Sequence, residues 1–212
     1  MLWYDYLQVF FLILIWTLII LNKGWLDSNR FYWVLFFLVH TISELVQLNS
    51  MIRNKENLWV NLFRNPLQFL FLVIFFLKIS IASKIRKLFV FICACLLCLV
   101  LIFLKKDGDY KTIDELGYST AIICACIYYF YFFIISNNYI QLENSEFWFC
   151  SAVFVFFGVP LSINGGLAYL INHNLEFAQK LFYIIVFNTY IFYCIVLYAI
   201  YLNTKEKKFI YG

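Results

Sequence analysis

Seven long apolar runs, separated by short polar or turn-forming stretches, set the pattern of this chain: about 4 to 22, 31 to 48, 58 to 77, 88 to 104, 118 to 136, 147 to 171 and 181 to 202. A helix needs about 20 predominantly apolar residues to cross the hydrocarbon core of a bilayer, and each run is near that length. The strands of a membrane barrel would alternate polar and apolar residues over about ten positions. Here FFLILIWTLII and FVFICACLLCLVLIFL are apolar on every side. The pattern predicts an all-α membrane protein: a single bundle of about seven transmembrane helices, with residues 1 to 212 as one polytopic domain.

Composition supports this and narrows the function classes. Hydrophobic residues make up 65% of the chain and charged residues 13%, against about 45 to 50% and 25% in a soluble domain. Seven spans leave no room for a sizeable soluble catalytic domain. The net charge of +4 is spread over short clusters between the runs, with no continuous basic face, so nucleic acid is not an expected partner. The lipid bilayer is.

Orientation follows from the same clusters. The chain's start through the opening of the first run has Asp5 and no Lys or Arg, and no small-residue cleavage site follows, so the run reads as a retained helix. An amino terminus outside and a carboxyl terminus inside would put nine Lys and Arg in cytoplasmic segments (Lys23, Arg30, Lys78, Lys84, Arg86, Lys87, Lys205, Lys207 and Lys208) and six outside. That balance agrees with the positive-inside rule. The longest connection, KKDGDYKTIDELGYS at 105 to 119, lacks the oxygen spacing of a calcium loop and reads as a solvated turn.

Polar residues inside the spans are the informative ones, because they are costly in lipid and turn toward the bundle interior. His40, Glu44 and Gln47 stand at i, i+4 and i+7 in the second span; Asn61, Asn65 and Gln68 repeat that spacing in the third, with Arg64 beside them. Each set shares a helix face. At 1.5 Å per residue the two stripes match in depth, and Asn164 and Asn188 fall at a similar level, roughly 10 Å in from the outer ends of spans six and seven. The expectation is a polar cluster in the outer half of the bundle, with Glu44 and Arg64 as its charge pair, His40 within reach, and the Asn and Gln amides around them. The candidate ligand-binding residues are His40, Glu44, Asn61, Arg64, Asn65, Gln68, Asn164 and Asn188. The competing reading is helix packing, since interhelical hydrogen bonds are common in membranes.

Span six reads FFGVPLSINGG. Pro160 removes a backbone donor and favours a kink, and Gly165 and Gly166 permit close packing or unwinding. The seven cysteines all fall in apolar runs, where Cys behaves as a small hydrophobe, and His173 is expected in a loop distant from His40. No metal, no cofactor and no catalytic set is expected, and no nucleophile, dinucleotide or phosphate-binding motif occurs.

Three stretches, NLWVNLFRNPLQFLFLVIFF at 57 to 76, SEFWFCSAVFVFFG at 145 to 158 and FNTYIFYCIVLYAIYL at 187 to 202, resemble the uncharacterised small seven-span inner-membrane protein family of Bacteroidota. The shared signatures fall at Glu44, at Phe147 with Trp148, and at Asn188. The resemblance implies a multi-pass protein of the cell inner membrane. Gln68 stands where the family has a carboxylate in span three, so no shared proton or cation chemistry is implied.

Together these readings favour a ligand-sensing or signalling membrane component: a small-molecule ligand in the outer polar cluster, and a cytoplasmic protein partner at the basic carboxyl-terminal tail. A small-solute transporter or channel is the alternative. A membrane-embedded lipid enzyme, or a defence-related accessory protein, is further off.

Overall fold

The computed structural model describes residues 3–21, 31–53, 59–79, 84–104, 113–136 and 144–211, and the described residues are almost all helical with no strand. The seven helices are α1 (Trp3–Leu21), α2 (Phe31–Ile52), α3 (Trp59–Ile79), α4 (Lys84–Leu104), α5 (Ile113–Ser136), α6 (Ser145–His173) and α7 (Leu175–Tyr211). One helix falls on each predicted run. Four of them, α1, α2, α6 and α7, contain segments long and apolar enough to cross a membrane, and α4 and α5 contribute shorter apolar stretches, Val90–Val100 and Leu116–Tyr131. The α3 helix carries Arg64, Asn65, Gln68 and Lys78 among its apolar residues. The connection at 105 to 112 and the basic residues Lys23, Arg30, Lys55, Lys105, Lys106 and Lys111 lie outside the described residues.

The chain divides into two compact units, Met1–Val9 with Lys23–Tyr118, and Phe10–Asn22 with Ser119–Gly212. In the first, α2 and α3 form an antiparallel pair whose seam is read off three contacts. Trp33 meets Phe75 with ring centroids 5.3 Å apart, His40 meets Gln68 at 3.3 Å, and Glu44 meets Arg64 at 3.5 Å. Along α2 these positions step by seven and then four; along α3 they step back by the same intervals, the spacing that keeps one helix face on its neighbour. Phe36, Phe37 and Leu72 fill the apolar part of this unit. Its far end is closed by Lys78, whose Nζ sits 4.9 Å over the ring of Tyr32, a cation–π contact. Farther along α3, Phe69 packs on Tyr118, and the Tyr118 hydroxyl donates to the Cys98 carbonyl of α4 at 3.4 Å.

The second unit is built on a helical hairpin. Between α6 and α7 lies a single residue, Asn174, that serves both. Its N–H donates to the Leu170 carbonyl at 2.7 Å and its own carbonyl accepts from Ala178. Its side-chain oxygen then accepts from the Phe177 N–H at 3.1 Å, as an N-cap does. The stretch around 172 to 180, expected as a loop, is therefore helical. His173 ends α6 with Nδ1 2.9 Å from the Tyr169 carbonyl and its ring stacked on Tyr169. Asn144 caps the other end of α6, accepting from Glu146 and Phe147.

The hairpin closes on an apolar seam in which Phe192, Val196 and Ala199 of α7 are buried, as are Phe149, Ala152 and Val153 of α6. Phe156 meets Phe192 at 4.4 Å and Trp148 meets Tyr198 at 5.0 Å. Phe11 of α1 stacks on Tyr193 at 5.7 Å, and Phe133 of α5 stacks on Phe147. Elsewhere the helices expose large apolar side chains such as Ile13, Ile20, Phe187 and Tyr201. That is the surface a bilayer covers and water does not.

Candidate functional site

The polar cluster of the first unit is assembled from three helices. Glu44 and Arg64 are each about one-fifth exposed, and Arg64 Nη1 donates to Glu44 Oε1 at 3.5 Å, the long end of a hydrogen bond. The other carboxylate oxygen, Oε2, accepts from Gln8 Nε2 of α1 at 2.6 Å. Arg64 Nε donates to Asn65 Oδ1 at 3.3 Å. Successive residues on a helix do not normally face each other, so this bond draws the guanidinium sideways, toward its own helix.

One turn deeper along the seam, Gln68 Nε2 and His40 Nδ1 are 3.3 Å apart. Both residues are buried, at 2% and 1% exposure, and the His40 ring lies parallel to that of Phe36. An amide NH₂ can only donate. With that group facing the ring, Nδ1 accepts and the imidazole proton sits on Nε2. Ser43, also buried, donates its hydroxyl to the Val39 carbonyl of its own helix at 2.7 Å.

Beyond His40 and Gln68 the seam turns apolar, with Phe36, Leu72, Trp33 and Phe75 all buried. The polar groups thus occupy the half of the α2–α3 pair nearer its connection. A charged layer with partial access lies above a neutral, buried hydrogen-bonded layer, and a closed aromatic floor lies beneath both.

Of the residues singled out in the sequence, the structure brings together His40, Glu44, Arg64, Asn65 and Gln68. Asn61 lies in α3, but its side chain is outside the described residues. Gln8 was not foreseen. Its signal was present: Asp5 and Gln8 stand at i and i+3 in the first turns of an otherwise apolar helix, and Asp5 is buried at 7% exposure.

Asn164 and Asn188 belong to the second unit, where Asn164 is half-buried and Asn188 has a local task. Pro160 has no N–H, so the Phe156 carbonyl four residues earlier loses its normal helical partner. Asn188 Nδ2 reaches across from α7 and donates to the Val155 carbonyl at 3.1 Å and the Phe156 carbonyl at 3.4 Å. Two acceptors fix the amide nitrogen toward α6 and leave Oδ1 buried without a hydrogen-bond partner among the described residues. α6 remains helical through Pro160 and the glycines. Among the described residues a Cβ added at Gly158 or Gly166 would meet nothing within 4 Å, so no described neighbour approaches closely at either glycine.

Among the described residues no three His, Cys, Asp or Glu side chains stand together as a metal-ligand set. Chemically the α1–α2–α3 cluster can hold a polar molecule through a carboxylate and a guanidinium, with an imidazole and amide pair behind them. No family model, curated protein or solved structure matches the chain, and the reading of this cluster rests on its own side chains.

Proposed function

We propose that this is a multi-pass protein of the cell inner membrane that senses a small polar ligand in the α1–α2–α3 cluster. The amino terminus lies outside, all seven helices span the bilayer and the cluster sits in its outer half. The observation that carries this reading is the combination, at Glu44 and Arg64, of opposite charge, a long 3.5 Å contact and one-fifth exposure. A pair serving packing alone gains most when it is short, bidentate and closed off. This one keeps donor and acceptor positions open. Ligand occupancy would bear on His40 and Gln68 through the shared α2–α3 seam, and the basic carboxyl-terminal tail with Lys205, Lys207 and Lys208 is the natural place for a cytoplasmic partner or anionic lipid.

Transport is disfavoured by a specific feature: the seam below Gln68 closes on Trp33 and Phe75, whereas a permeation route needs polar groups continuing to the other side. The test is a thermal-shift screen of the purified protein against metabolites, lipids and ions, beside Glu44→Gln and Arg64→Gln. A compound that raises the melting temperature of the wild type by mass action and of neither variant supports the reading. Strongly destabilised variants with no wild-type shift for any compound would return the cluster to packing.

A further inference from the structure

The class of ligand can be taken further by counting which hydrogen-bonding positions of Glu44 and Arg64 are already used, a step that rests on the cluster being a binding site. A guanidinium carries five N–H donors in a planar fork. Arg64 commits one on Nε to Asn65 and one on Nη1 to Glu44, and its other N–H groups, including both on Nη2, meet no described residue. A carboxylate offers about four acceptor positions. Glu44 uses one on each oxygen, for Arg64 and Gln8, and the rest are open. A cationic edge and an anionic edge therefore stand side by side, both partly accessible.

That juxtaposition discriminates between ligands. A simple anion drawn to the open edge of Arg64 is repelled by Glu44, and a simple cation drawn to Glu44 is repelled by Arg64. A neutral polyol can donate to Glu44 and accept from Arg64, but it brings no opposite charge to either edge and so forgoes the ion-pair part of both contacts. Only a molecule bearing both charges gains Coulombic attraction at both edges. Because it is neutral overall, it also adds no net charge to a site set among apolar helices, where net charge is expensive.

The geometry points to a small zwitterion, a primary ammonium joined by a short carbon linker to a carboxylate or phosphodiester, with its anion across the free edge of Arg64 and its ammonium on Glu44. Two sources share this chemistry: a free amino acid, and the ethanolamine headgroup of a membrane lipid.

The test uses the full-length protein in lipid nanodiscs, with thermal shift and calorimetric titration. The soluble probes are free glycine and glycerophosphoethanolamine as net-neutral zwitterions, acetate as anion only, ethylammonium as cation only, and glycerol as neutral. A second arm replaces phosphatidylcholine discs, whose trimethylated headgroup cannot donate a hydrogen bond, by discs containing phosphatidylethanolamine. A zwitterion should bind roughly 10- to 100-fold more tightly than the single-charge probes, the effect of losing one hydrogen bond to a charged group. Arg64→Lys, which keeps the charge and loses the fork, should reduce that preference, and Glu44→Gln should abolish the preference over acetate.

Stabilisation by the ethanolamine discs alone assigns the lipid, and stabilisation by soluble zwitterions assigns a free metabolite; either supports the proposal. Acetate, ethylammonium or glycerol binding as tightly as the zwitterions would overturn it while leaving a binding site in place. Absence of any shift in both arms would overturn it as well, and the wider compound screen then decides whether the site itself survives. Should the variants fail to fold, the ranking of probes on the wild type remains decisive.

Discussion

His40 Nδ1 and Gln68 Nε2 face each other at 3.3 Å in the buried layer directly beneath the Glu44–Arg64 pair. The contact joins α2 to α3 by a side-chain bond between buried groups of the two helices. Replacing Gln68 by Leu removes this partner from a buried nitrogen and should cost about 1 to 3 kcal/mol. The double replacement His40→Phe with Gln68→Leu, which removes both polar partners, should recover most of that loss. Unfolding of the purified protein in mixed micelles measures both, and additive losses would contradict the pairing.

Glu44→Gln and Arg64→Gln separate stability from binding. A fully buried ion pair broken on one side costs about 3 to 5 kcal/mol. Here each partner is one-fifth exposed and the contact is long, so a single replacement should cost less, about 1 to 2 kcal/mol. The Glu44 variant should be the milder, because the new amide can still accept from Gln8. A loss above the buried-pair value in either variant would mean that the pair is sealed from solvent in the membrane.

Gln8→Leu tests the contribution of α1. It removes the 2.6 Å donor to Glu44 and leaves an apolar side chain suited to its surroundings. Stability should fall by about 1 to 2 kcal/mol, and any ligand detected in the screen should bind more weakly. An unchanged affinity would confine the site to α2 and α3.

Asn188 and Pro160 should be energetically coupled. Asn188→Leu removes the amide donor shared by the Val155 and Phe156 carbonyls, at a cost of about 1 to 2 kcal/mol. In a Pro160→Ala background the restored N–H can bond the Phe156 carbonyl within α6, so the same Asn188 replacement should cost less. A double-mutant cycle on unfolding midpoints measures the difference, and an interaction energy indistinguishable from zero would rule out the repair.

Much of the fold was legible because apolar length and helix periodicity are local properties. Each predicted run coincides with a helix, and across the α2–α3 seam Glu44 meets Arg64 and His40 meets Gln68. What could not be read was which distant face a polar residue meets. Depth alone placed Asn188 with the other amides; its task came from a proline on α6 whose missing donor has no signature on α7. Gln8 was overlooked because α1 reads as apolar throughout, and only the packing of α1 on Glu44 gives it a role. The α6–α7 connection was misjudged for a different reason. Polar residues from Asn172 to Lys180 look like a loop, but Asn174 terminates one helix and starts the next within a single residue, and Glu176 and Lys180 pair at 2.7 Å along the first turns of α7.

The one-residue turn at Asn174 also constrains how the protein is made. With no slack between them, α6 and α7 have little freedom to search for their register after each has formed. The turn fixes that register as soon as the chain reverses. A tag or protease site inserted at 174 would break the last bond of one helix and the first of the other together, and the damage would appear as a loosened α6–α7 pair, not as a tolerated loop insertion.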